Sequence, residues 1–119
     1  MSDEKEPLQL LFCIVKDYRK LDMILEGFIE MGITGATVVD ARGMAQVLRN
    51  DVPIFAGLAT LFPGGTDDSK IILSVLETSK LKNVVQLVED VCGNFDLPGS
   101  GIMFTVPVAF VHGLAREFS

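Results

Sequence analysis

The stretch GNFDLPGSGIMFTVPV, Gly93–Val108, decides how the second half of the chain is read. It opens on a glycine that stops a helical pattern and passes through the turn Pro98-Gly99-Ser100-Gly101. It ends in an apolar strand, GIMFTVPV. Pro107 near the end of that strand places it at an edge or a terminus, because proline has no N–H to give to a ladder. Working backwards, Leu81, Val84, Val85, Val88, Val91 and Cys92 keep the helical period. Thr78 or Ser79 is available to cap that helix. Before it, KIILSVL, Lys70–Leu76, reads as a strand.

The first half repeats the plan. LQLLFCIV, Leu8–Val15, is short and nearly all apolar, which suits a strand covered on at least one face. Asp17 offers an N-cap. Leu21, Ile24, Leu25 and Phe28 follow at helical spacing, and Gly32 is placed to end the helix in a left-handed conformation. Thr37, Val38 and Val39 are good strand formers, and that second strand runs out near Gly43. Strand–helix–strand, a long connection, then strand–helix–strand again is the α+β, ferredoxin-like βαββαβ plan. It implies a four-stranded antiparallel sheet with two helices on one face. The halves share the pattern but no clear residue identity.

Such a sheet has one layer of helices and two faces. In Leu8–Val15 both alternating sets are apolar: Leu10, Phe12 and Ile14 on one side, Leu11, Cys13 and Val15 on the other. An apolar open face predicts self-association, unless the middle segment or the tail folds over it.

The bulk numbers bound the function. The chain has 119 residues, 49% hydrophobic and 22% charged, enough for one domain with a real core. The net charge of −6, with Lys and Arg scattered, disfavours nucleic acid and anionic membrane surfaces as partners. Residues 1–7 are charged and read as a flexible tail rather than a signal peptide, with residues 8–119 as a single domain. No apolar run reaches the ~20 residues of a membrane span, so membrane insertion is not expected and a cytoplasmic location is. Cys13 and Cys92 sit inside apolar patterns and are expected as free, buried thiols.

The connection Met44–Ser69, MAQVLRNDVPIFAGLATLFPGGTDDS, is too long for a simple loop. Phe55, Leu58, Leu61 and Phe62 recur at helical spacing, interrupted by Gly57, and a polar, turn-rich end follows. Two readings stand: a segment packed permanently on the body or a neighbouring copy, or a segment that docks on a partner and orders there.

With these pieces in order, MGITGATVVDARGM followed by DLPGSGIMFTVPV resembles the PII nitrogen-regulatory family and its PII-like relatives, over roughly Leu8–Leu114. The resemblance implies a ferredoxin-like protomer in a compact homotrimer that is a regulator and not an enzyme. Its effectors, adenine nucleotides foremost, would bind in clefts between subunits, where the base of the long T-loop meets a glycine-rich turn. The T-loop, here 44–69, would engage a target transporter or enzyme, with Arg49, Phe55, Leu58 and Phe62 as contact residues. Position by position, Thr37 matches the strand threonine near the adenine and Gly43 the glycine at the T-loop base. Gly99 and Gly101 match the turn glycines, Ser100 stands where the family has Asp, and Phe104 matches the aromatic on the last strand.

The departures are chemical. Ile102 occupies the place of the phosphate-binding lysine, and Gly113 and Ala115 the places of two tail arginines. Gln46 and Val47 stand where the family carries arginine and then the glutamine that touches magnesium and 2-oxoglutarate. Tyr18, the only tyrosine, lies far from the T-loop. Magnesium-ATP gripped with 2-oxoglutarate, and uridylylation, are therefore not expected.

The glycine turn itself has two readings. Glycines let backbone N–H groups converge on an anion, and the Ser100 hydroxyl adds a donor. Yet no helix N-terminus follows the turn, no basic residue lies in it, and Pro98 removes a donor. Arg42, Arg49 or Arg116 of another subunit would have to add charge. His112, the only histidine, has no neighbours at metal-ligand spacing, and no catalytic triad can be drawn. No obligatory cofactor is expected. The alternative to an effector-binding regulator is a constitutive trimeric assembly module with an inert turn.

Overall fold

The computed structural model describes residues 6–51, 69–96 and 101–114. Four strands, β1 (Leu8–Val15), β2 (Thr37–Ala41), β3 (Ser69–Glu77) and β4 (Gly101–Pro107), form one sheet in the order β2-β3-β1-β4. Every neighbouring pair is antiparallel. Helices α1 (Leu21–Glu30) and α3 (Leu81–Cys92) cover one face, and α2 (Met44–Asp51) follows β2. The two-halved plan read from the sequence is the architecture found. β4 is an edge strand, as Pro107 requires.

The period-2 alternation of β1 decides which face is core. Leu11, Cys13 and Val15 point under the helices and are fully buried, together with Ile72 of β3. Onto them pack Ile24 and Phe28 of α1 and Val84 and Val88 of α3, spaced to share one helical face. Gly27 lets the helices meet: a Cβ there would sit 2.5 Å from a Leu87 methyl. Cys13 lies in this core and Cys92 at its margin, half-buried rather than buried as expected, and both are free. Burial, with a smaller contribution from Cys92, pushes the Cys13 thiol up to about 12. It serves as a small apolar side chain.

Helix ends follow from local hydrogen bonding. The Asp17 carboxylate caps the turn Tyr18–Lys20 that leads into α1, accepting from the Arg19 N–H at 3.0 Å and from the Arg19 guanidinium. The bond from the Arg19 side chain, then that from its backbone, holds the Asp17 carboxyl below its ordinary value. A depressed folded-state pKa gives stability that is complete above the unfolded value, about 3.9, and fades as pH falls through the folded one. Asp17→Asn is therefore expected to lower the melting temperature at pH 7, with the gap to wild type closing in strong acid.

Gly32 (φ +84°) ends α1 as anticipated. Its N–H donates to the Ile29 carbonyl at 3.0 Å and the Ile33 N–H donates to that of Phe28 at 2.8 Å, the paired bonds of a left-handed cap.

The start of α3 departs from expectation. Neither Thr78 nor Ser79 caps it with a side-chain oxygen. The Ser79 N–H donates to the Glu6 carboxylate at 2.9 Å, while the Thr78 N–H and hydroxyl both donate to the Pro7 carbonyl. The cap thus comes from the segment that enters β1, more than seventy residues away in sequence. Glu6→Ala is expected to cost about 1 kcal/mol, the usual worth of an N-cap, read by urea unfolding.

α2 was not anticipated as an element. Gly43 stands at its N-terminus, its carbonyl accepting from the Val47 N–H at 3.0 Å. Residues 52–68, including Phe55, Leu58 and Phe62, lie outside the described residues.

Candidate functional site

The described residues singled out from the sequence divide between the two edge strands of the sheet, which one chain does not bring together. Thr37 opens β2 at one edge of the sheet, and Phe104 lies on β4 at the other. They share a row that crosses all four strands: Thr37, Leu73, Phe12, Phe104. At about 4.8 Å per strand the two stand ~14 Å apart.

The row crosses the middle of the sheet, whereas Gly43 and Gly101 belong to one end of it, where β2 finishes and β4 begins; β1 finishes there too and β3 begins. At about 3.3 Å per residue Gly43 is ~20 Å along the chain from Thr37. Arg49 lies on α2, and Gly99 and Ser100 lie outside the described residues.

Gly101 has a local reason to be glycine. Its φ is +132°, and a Cβ would overlap the Ile14 carbonyl oxygen of the neighbouring strand and press on the Phe95 ring at 3.1 Å. Gly43 has no such constraint, since a Cβ there would meet only the Lys16 ammonium, at 3.7 Å.

That contact identifies a residue the sequence reading passed over. Lys16 follows β1, and its ammonium reaches the start of α2, where the connection of residues 44–69 begins. Its signal in the sequence was only its place, one residue past a strand end. Lys70, opposite Val15 in the ladder, lies at the same end and pairs with Asp40 at 2.6 Å. Ile102 is half-exposed and lies on the open face opposite Ile14.

The open face is apolar apart from Thr37 along the three rows that cross it. One row runs Val39, Ile71, Ile14, Ile102; the next runs Thr37, Leu73, Phe12, Phe104; a third runs Val75, Leu10, Val106. Ile102, Phe104 and Val106 are each at least 40% exposed in the single chain. Phe12 and Phe104 stack with ring centroids 4.7 Å apart. A face of this composition needs cover.

Among the described residues no group of three or more His, Cys, Asp or Glu is placed to hold a metal ion. Among them, no helix is long and apolar enough to cross a membrane.

Comparison with solved structures gives the fold its class. The crystal structure of Arabidopsis thaliana PII bound to citrate superposes with a TM-score of 0.61, over 98% of this chain and 88% of that one, at 17% sequence identity. The fold is PII-like. No protein-family model matches the sequence, and no curated protein does. At this identity the likeness is one of fold.

Proposed function

We infer that the chain is a PII-like regulatory protein. It assembles as a homotrimer, binds a small effector in the clefts between subunits, adenine nucleotide foremost, and passes the signal to a target transporter or enzyme through residues 44–69. It carries no catalytic machinery and works in the cytosol. The observation that carries this reading is the division of the candidate residues between opposite edges of a sheet whose free face is largely apolar. Packing that face against copies of itself buries the exposed rows and juxtaposes the edge of one copy with that of the next. Thr37 of one subunit and the glycine turn of another then have a common cleft to line. Lys16 beside Gly43 supplies a positive charge at its base that Ile102 does not.

Isothermal titration with ATP, ADP, AMP and cyclic nucleotides, with and without 2-oxoglutarate, bicarbonate or citrate, tests the reading. Binding of at least one nucleotide is expected, together with slowed hydrogen exchange over residues 44–69. A flat panel would leave the regulator without a trigger. The packing reason for Gly101 favours a second reading, a constitutive trimeric assembly module. It predicts the same trimer, no nucleotide binding and uniform exchange protection across 44–69.

A further inference from the structure

The helical layer lies on the side of the sheet away from the open face, so copies that pack through that face leave the outer surface of α1 uncovered. That surface breaks two local rules. Asp22, Glu26 and Glu30 are exposed and stand at successive intervals of four, one line of like charge along the helix. Carboxylates so spaced repel one another, and Glu30 lies in the last turn, at the negative end of the helix dipole. α1 contains no lysine or arginine to offset them. Among the described residues none of the three has an ion-pair partner. α3 adds exposed Glu89 and Asp90, against Lys82 alone. Apolar side chains flank the acidic line. Met23, 49% exposed, lies one turn before Gly27, where α1 abuts Leu87 of α3, and so overlooks the seam between the helices. Ile29, 66% exposed, lies one turn after Leu25 on the other flank, and Tyr18, 54% exposed, stands at the foot of that flank in the turn before α1. Met23 and Ile29 are ~9 Å apart along the helix axis, with Glu26 between them.

We propose that the outer face of α1 is a docking surface for a basic amphipathic helix of a partner protein. Charge complementarity selects the occupant. A helix laid along α1 sets two apolar residues, about two turns apart, on Met23 and Ile29, and a lysine or arginine between them on Glu26. The hydrocarbon stem of that residue covers the apolar flank while its cation sits among the carboxylates. Such a partner relieves the repulsion stored along α1. An acidic or neutral helix does not, and nucleic acid or an anionic membrane surface meets like charge. This surface is separate from the open face, and the proposal does not rest on the effector reading above.

The test is fluorescence anisotropy of a labelled synthetic Lys/Leu peptide of amphipathic helical pattern, titrated with the protein at physiological salt. Wild type is expected to bind it. Glu26→Gln should weaken binding roughly tenfold, the worth of one charge-assisted contact. Met23→Ser combined with Ile29→Ser should weaken it by a similar factor at unchanged net charge. Asp96→Asn, the same change of charge in the loop after α3, should leave it within about twofold, since screening confines the effect to the face itself. The triple variant Asp22→Asn, Glu26→Gln, Glu30→Gln should lose the peptide yet melt no lower than wild type, because it removes repulsion within α1. No binding by wild type, an equal loss with Asp96→Asn, or full binding by the Met23 and Ile29 double variant overturns the assignment. So does a Lys/Ser peptide that binds as tightly as the Lys/Leu one, which would make the face a sink for any polycation. A mass in solution that falls with Ile29→Ser alone also overturns it, since the occupant would then be another copy of the chain.

Discussion

Phe104→Asp is expected to yield a folded chain that no longer assembles: its mass in solution falls from three times 12.9 kDa to 12.9 kDa, with the far-ultraviolet circular dichroism of wild type. Phe104 sits on the open face of an edge strand, stacked on Phe12 and 44% exposed in the single chain. Within one copy, the substitution loses a half-exposed stacking contact, worth about 1 kcal/mol. Within the assembly it places a carboxylate in the middle of an apolar contact, repeated in every copy. An unpaired buried charge of that kind is destabilising by about 3–5 kcal/mol per site, enough to dissociate the proposed trimer at micromolar concentration. Light scattering coupled to size exclusion reads the result. Retention of the wild-type mass would mean that this face is not what the copies share.

The second large effect separates fold from function at the two candidate glycines among the described residues. Gly101→Val is expected to destabilise the domain by about 3 kcal/mol or more. The φ of +132° strains any L side chain, and the overlap with the Ile14 carbonyl would pry β4 from β1. For a domain of this size that lowers the melting temperature by ~10 °C or more. Gly43→Ala, with open space around it and no left-handed φ, should stay within about 1 kcal/mol of wild type. If both glycines served only an effector, the two variants would melt alike and differ only in binding. Equal melting temperatures would refute the packing account of Gly101.

The sheet and its two covering helices were legible because each strand is a short run of apolar, strand-forming residues and each helix carries a period near four, bounded by Asp17, Gly32 and Gly93. What escaped was non-local. The cap on α3 comes from Glu6, and no window around Thr78 contains it. The helix Met44–Asp51 was absorbed into the long connection because only Phe55–Phe62 was read for helical spacing, although Met44, Val47 and Leu48 carry it too. Lys16 was invisible as a candidate because its significance lies in reaching from the end of β1 to Gly43, a proximity set by the sheet order. Conversely, Gly101, read as a candidate ligand position, has a packing role that only its φ and its neighbour Ile14 reveal.

The mass of the wild-type protein in solution tests the central claim most directly. The account predicts three copies at micromolar concentration, with or without nucleotide. A stable single chain across that range, its apolar face sheltered by its own residues, would contradict it and remove the clefts on which the proposed regulation depends.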